Sequence, residues 1–170
     1  MEMTLATTEV KAAAIYPSLL IFRLNHRLFL NCMAGVTEEL AKERLSPHSN
    51  PFIWIATHTV WARYNTLHLL GGTAENPFKG LFEGFKPYNV EDNYPTLDKV
   101  VEEWKKVSPL VKEALYNVTE EQLAGPAPFK NPVGDQTIGG TIIFLAQHES
   151  YDIGQMAFLK KYLTKEAMQY

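Results

Sequence analysis

The chain has 170 residues, of which 46% are hydrophobic and 21% charged, the size and composition of one globular domain covering residues 1–170. A net charge of −3 without a cluster of lysine and arginine argues against a nucleic-acid partner. The sequence has no run of about 18 apolar residues for a membrane span and no signal-peptide pattern, which predicts a cytoplasmic location. Because Cys32 is the only cysteine, we expect no internal disulfide and no multi-cysteine metal site.

The first predicted helix covers residues 17–33 and is apolar over much of its circumference. Arg23 and Arg27 line its polar side, and Asn25 lies opposite them among apolar side chains. A helix of this kind needs either more than one helical neighbour or a partner chain. We therefore expect it to lie within a helical bundle, and a homodimer would cover the rest of its apolar surface.

The second predicted helix covers residues 51–70, and Asn50 is expected to cap its N-terminus. Trp54, His58 and Trp61 share one face of this helix, about one turn apart. That face should be turned inward, so His58 is the histidine most clearly placed on an apolar surface. His58 is therefore either a hydrogen-bonded core residue or a metal ligand.

A long connection at residues 71–95 separates the second and third predicted helices. It is too long and too aromatic for a plain linker, and we expect it to fold back over the helices as a lid or rim. Its large side chains are Phe78, Leu81, Phe82, Phe85, Tyr88 and Tyr94. The third predicted helix follows at residues 97–116, with Thr96 as its N-cap and with Pro109 expected to kink or divide it.

The last predicted helix, residues 137–163, carries polar groups where apolar ones are expected. Glu149 and Asp152 interrupt an otherwise apolar stripe, and His148 lies beside them. Burying an ionised carboxylate is costly, so such a group pairs with a cation, binds a metal or becomes neutral. His148 and Asp152 are four residues apart and can reach one point. Four long helices with a long connection predict an all-α four-helix bundle.

His58, His148 and Asp152 together form a possible ligand set of two imidazoles and one carboxylate. Such a set suits a divalent transition metal, with coordination positions left open for water or substrate. A competing interpretation is that Asp152 pairs with a histidine or an arginine and only fixes the register of its helix. Spacing within one helix does not decide between the two, because His58 comes from a different helix.

The side chains around this possible site carry a similar ambiguity. Asn25 and Glu149 are either pocket groups or hydrogen-bonded core residues, and Glu149 has the length to extend to the rim. Tyr151 and Gln155 are candidates for lining a substrate pocket. Trp61 is a further pocket candidate, although a tryptophan at helical spacing more often serves packing than ligand contact.

Four segments resemble the DinB/YfiT-like superfamily of bacterial four-helix bundles, and the resemblance covers nearly the whole chain. They are NHRL at 25–28, WIATHTVWARYNTLHLLGG at 54–72, NPFKGLFEGF at 76–85 and HESYDIGQMAFLKKYL at 148–163. Each motif is short and degenerate, but their order and spacing together are fairly specific. The resemblance implies a metal-binding helical bundle.

The last segment follows the closing pattern of that superfamily, which is a histidine, three residues, a second histidine, then Gly-Gln and an apolar run. Here the pattern begins at His148, and its Gly-Gln is at 154–155. His58 falls where the superfamily has its second-helix histidine. Asp152 stands where the superfamily usually has its third histidine ligand, which makes the site more anionic and lowers the acidity of a bound water.

Characterised relatives in this superfamily imply a metal-dependent thiol S-transferase or isomerase that uses a low-molecular-weight thiol such as bacillithiol or mycothiol. The ligands would accept zinc, nickel, manganese or iron, and relatives are often dimers. Two histidines and one aspartate also resemble the ligand set of non-haem iron oxygenases. A further alternative is a non-catalytic bundle with a degenerate metal site that binds a small molecule or dimerises.

Overall fold

The computed structural model describes residues 10–170, and the regular elements of this part of the chain are all helical. The prediction of an all-α fold is confirmed. Seven α-helices are present in this part rather than four, because three short helices lie in the connections between four long ones. After a 3₁₀ turn at Ala13–Ile15, they are α1 Tyr16–Met33, α2 Glu38–Lys42, α3 Phe52–Leu69, α4 Lys79–Phe82, α5 Leu97–Asn117, α6 Glu120–Ala124 and α7 Ile138–Thr164.

The four long helices pack as a closed ring around one core. Helix α1 contacts α7 and α5, and α3 likewise contacts α7 and α5. The pair α3 and α7 therefore lies across the bundle from the pair α1 and α5. Among residues 10–170, none of the helices combines the length and the apolarity needed to cross a membrane.

Two details of the helix boundaries differ from the sequence-based prediction. Asn50 does not cap α3: the N-cap residue is Pro51, whose carbonyl accepts hydrogen bonds from the N–H groups of Trp54 and Ile55. Pro109 lies within the continuous helix α5 and does not divide it. Its ring is exposed, so it displaces no core packing. Thr96 caps α5 as predicted, since its hydroxyl accepts a hydrogen bond from the N–H of Lys99.

The long connection between α3 and α5 folds back over the bundle through only some of its aromatic residues. Phe78 and Phe82 are buried, and Asn76 anchors this part by donating a hydrogen bond to the carbonyl of Trp61. Phe85 is 94% exposed, so the expectation that it packs on the bundle is wrong. The backbone of Phe85 has a positive φ of 59° at the turn that ends this stretch, which turns its ring outward.

The centre of the bundle holds one buried charge pair that joins all four long helices. Arg63 of α3 is 1% exposed, and its Nε and Nη2 donate to the two carboxylate oxygens of Glu149 on α7, each at 2.8 Å. Its Nη1 donates to Ser108 Oγ of α5 at 2.7 Å, and Nη2 also donates to the carbonyl of Phe22 on α1 at 2.9 Å. The guanidinium lies 3.8 Å from the ring centroid of Trp104 on α5. One side chain therefore sets the positions of four helices.

We predict that Glu149→Gln destabilises the protein by about 3–5 kcal/mol, because it leaves the Arg63 guanidinium buried without its counter-charge. Chemical denaturation measures this loss of unfolding free energy. The matched control is Glu83→Gln, which breaks an exposed pair with Lys79 at 3.7 Å and should change stability by less than about 1 kcal/mol. Equal effects of the two substitutions would contradict the central role of the Arg63–Glu149 pair.

Candidate metal centre

His58, His148 and Asp152 meet where α3 packs against α7. His58 Nδ1 lies 3.1 Å from Asp152 Oδ2, and His148 Nδ1 lies 3.6 Å from the same oxygen. One ligand atom from each residue can be chosen so that all three lie within 4.8 Å of one another. The structure thus brings together the three residues that the sequence singled out, two from one turn of α7 and one from the facing helix.

The carboxylate of Asp152 is held so that one of its oxygens faces the two imidazoles. Asp152 is 4% exposed, and Gln155 Nε2 makes a long hydrogen bond of 3.5 Å to its other oxygen, Oδ1. Gln155 is one turn further along α7, so the local helix geometry places it there. Oδ2 faces the imidazoles and lies within hydrogen-bond distance of His58 Nδ1, so a metal ion bound here would replace that contact.

Aromatic rings from α3 and α4 surround the imidazole of His58. The Trp54 ring stacks on it with centroids 4.9 Å apart and an angle of 8°, and Trp61 lies 5.3 Å away on the adjacent turn. Phe82 of α4 meets it edge-on at 5.2 Å. These contacts fix the orientation of the ring and keep water from its faces, which strengthens electrostatic interactions at its nitrogens.

The electrostatics around His148 favour a neutral imidazole. Burial lowers the pKa of His148, the Asp152 charge opposes this shift, and His58 adds to it. A neutral imidazole is the form that binds a metal ion. His148 Nδ1 is buried and has no hydrogen-bond partner, which is costly for a polar atom. A metal ion would give this nitrogen a partner, and the donor set of two nitrogens and one oxygen fits a divalent transition metal.

Two of the predicted pocket residues face the interior of the bundle instead of the three possible ligands. Glu149 is 2% exposed and bound to Arg63, so it does not extend to the rim. Burial raises the pKa of the Glu149 carboxyl, and the charge and hydrogen bonds of Arg63 oppose that rise. Asn25 of α1 donates a hydrogen bond to Ser150 Oγ at 3.0 Å. Both side chains connect α7 to its neighbours.

Of the other predicted pocket residues, Trp61 and Gln155 contact the possible ligands. Trp61 forms part of the aromatic wall around His58. Tyr151 is 62% exposed, and together with Gln155 it lines a cleft of about 550 Å³ that also borders His48 and Phe158. None of the three possible ligands lines this cleft, and its link to them is the long hydrogen bond between Gln155 and Asp152.

Two contributors to the site were not singled out from the sequence. Arg63 was not identified as the partner of Glu149, although positions 56, 60, 63 and 67 form a helical stripe that is otherwise apolar. Phe82 was expected to pack somewhere on the bundle, but its place against His58 depends on the path of the connection. No spacing rule reveals that path.

Residues 21–156 match the sequence model of a family described as the DinB superfamily. The fold is similar to that of a crystal structure described as the conserved protein of a locus from Enterococcus faecalis. Their TM-score is 0.66 at 17% sequence identity, and the match covers 89% of this chain and 97% of that one. No curated protein matches the chain. Because the family match extends over most of the sequence and includes His58, His148 and Asp152, this chain belongs to the DinB superfamily.

Proposed function

We propose that this protein is a metal-dependent enzyme, and specifically a thiol S-transferase, that holds one divalent transition-metal ion with His58, His148 and Asp152. The observation that supports the metal site is the convergence of two imidazole nitrogens on one buried carboxylate oxygen, with His148 Nδ1 left without a hydrogen-bond partner. The thiol S-transferase activity rests on the resemblance to characterised members of the superfamily. The contact between His58 and Asp152 satisfies two of these groups, but it leaves His148 Nδ1 without a partner, which a metal ion would supply.

A bound metal ion would supply acidity, because it lowers the pKa of a coordinated thiol and so favours the nucleophilic thiolate. The side chains of the protein position the ligands and exclude water. Gln155 orients the Asp152 carboxylate, and the rings of Trp54 and Phe82 hold His58 in place and exclude water. The cleft lined by Tyr151 and Gln155 has a volume of about 550 Å³, in the range of small-molecule sites, and is connected to Asp152 through Gln155. We assign this cleft to a low-molecular-weight thiol such as bacillithiol or mycothiol, whose sulfur would have to extend past Gln155 to the ligands.

The carboxylate of Asp152 changes which metal ions the site prefers. It adds a negative charge and a hard oxygen donor at a position where a histidine would place a neutral nitrogen. Oxygen donors favour manganese and iron more than an all-imidazole set does, while zinc and nickel still accept the two histidines. We therefore propose a site that binds zinc, nickel, manganese or iron.

We predict that protein purified without a polyhistidine tag binds about one transition-metal ion per chain after reconstitution, and that His58→Ala abolishes this binding. Elemental analysis by mass spectrometry gives the metal content. His48→Ala is the matched control, because His48 is exposed and lies outside the ligand group, and it should retain the metal. Circular dichroism checks that both variants fold.

Wild-type protein that takes up no zinc, nickel, manganese or ferrous iron would exclude a metal site. Full metal content in a folded His58→Ala variant would exclude this ligand set.

We predict that the reconstituted protein conjugates a low-molecular-weight thiol to an electrophile, and that chelation of the metal reduces the rate to background. Asp152→Asn should lower metal affinity by at least about tenfold, because it removes the charge of one ligand, and activity should return at high metal concentration. Thiol consumption measures the reaction. Undiminished transfer by metal-free protein would reject the mechanism, and oxygen consumption that depends on ferrous iron would favour an oxygenase instead.

A second candidate function is a non-catalytic bundle that assembles as a homodimer. Leu20, Ile21 and Leu24 on one side of α1 remain 40–42% exposed, which leaves an aliphatic stripe on the surface. We predict that the wild-type protein is a dimer and that Leu24→Glu makes it monomeric, because a charge at the dimer contact would be buried without a partner. Light scattering coupled to size exclusion gives the mass. A monomeric wild-type protein at high concentration would contradict this assembly.

A further inference from the structure

A second cleft lies between α1 and α5, across the bundle from the possible metal centre. Its volume is about 450 Å³, within the range of small-molecule sites, and none of the three possible metal ligands lines it. Most of its wall is apolar and is formed by Leu19, Phe22, Pro109, Val111 and Leu115. An apolar wall of this kind accepts a hydrocarbon body.

Positive charge surrounds this apolar wall. Arg23 of α1 and Lys105 and Lys112 of α5 line the cleft from exposed positions, and no lining residue is acidic. Within residues 10–170, none of these three side chains forms an ion pair. Cations grouped over a low-dielectric wall concentrate their field on the cleft and attract anions.

Two side chains that line the cleft carry polar atoms whose hydrogen-bonding capacity the protein does not use fully. Arg63 is 1% exposed and lines the cleft, and its Nη1 donates one hydrogen bond, to Ser108 Oγ, although that nitrogen carries two hydrogens. His26 also lines the cleft, and its Nδ1 is buried without a hydrogen-bond partner. Buried polar groups without partners are uncommon. A bound acceptor would satisfy Arg63 Nη1, and it would satisfy His26 Nδ1 in the tautomer that carries the proton on that nitrogen.

The charge of the cleft acts on a group inside it. The pKa of His26 is lowered by burial, and after that by the charges of Arg63 and Lys105. Two cations belonging to different helices thus raise the electrostatic potential at one ring in the cleft. The same potential stabilises an anion placed there.

We infer that this cleft binds a small carboxylate with an apolar body, of the chemical class of a medium-chain fatty acid. The carboxylate would lie among His26, Lys105 and Arg63, with its hydrocarbon chain against Leu19 and Leu115. A compact inorganic anion would leave the apolar wall exposed to water, and a neutral lipid would gain nothing from the positive potential of the cleft. The carboxylate with an apolar tail is the ligand that satisfies both surfaces.

Octanoate is the probe for this inference, tested by calorimetry and by NMR of the His26 ring. We expect one octanoate per chain, with shifts at the His26 ring signals. Octan-1-ol has the same chain without the charge, and octylamine carries the opposite charge. Both should bind at least about tenfold more weakly, since each loses the charged hydrogen bonds. Equal affinity for octan-1-ol would overturn the inference.

Charge-reversal variants test whether octanoate binds at this cleft and not elsewhere on the protein. Lys105→Glu with Lys112→Glu should weaken octanoate binding by at least about tenfold. The control is Lys130→Glu with Lys161→Glu, which changes the net charge equally at exposed residues outside the cleft and should leave the affinity unaltered. Unchanged binding in the cleft variant would overturn the inference. Loss of binding in His58→Ala would also overturn it, because octanoate would then occupy the metal centre.

Discussion

The bidentate pair between Arg63 and Glu149 is the interaction on which the remaining arrangement depends. It joins the guanidinium of α3 to α7, while the same guanidinium reaches Ser108 on α5 and the backbone of α1. Burying two charges gains little net stability, but the pair permits one relative rotation of the helices. Because Glu149 directly follows His148 in the sequence, fixing Glu149 also fixes the direction in which His148 leaves α7. The relative positions of the possible metal ligands therefore depend on a charge pair that is not itself part of the ligand set.

The two carboxylates of α7 show how partners decide the chemistry of otherwise similar groups. Glu149 faces a permanent cation, and each of its two oxygens accepts a hydrogen bond from that guanidinium. Asp152, three residues later, faces two imidazoles, and neither carries a permanent charge. Its oxygen Oδ2 lies within hydrogen-bond distance of His58 Nδ1, and a metal ion bound by both atoms would replace that contact. A carboxylate that stabilises the fold and a carboxylate that can bind a metal ion therefore lie less than one turn apart on the same helix.

The long helices and the pair His148 and Asp152 were predictable from the sequence because both depend on local spacing. Helical periodicity and threonine caps such as Thr96 and Thr137 place the helices within a few residues. The sequence predicted that His58 lies on an inward face of its helix, but not which helix that face contacts. The resemblance to a family indicated that His58 meets His148 and Asp152. The partner of Glu149 was not predictable, because Arg63 is 86 residues away and the order of helices around the core decides which residues meet.

The N-terminus of α3 was predicted one residue too early. Asn50 was expected to be the N-cap, but Pro51 occupies that position.

The continuity of α7 from Ile138 to Thr164 has a consequence for how this sequence can change over evolutionary time. One residue added to or removed from a helix rotates everything beyond it by about 100° and shifts it by about 1.5 Å. An insertion between Glu149 and Asp152 would turn Asp152 away from His58 while Glu149 stayed with Arg63. Insertions at residues 83–93, which are mostly exposed, would lengthen a connection and leave these contacts in place. Length variation among descendants of this chain should therefore collect in its connections and spare the middle of α7.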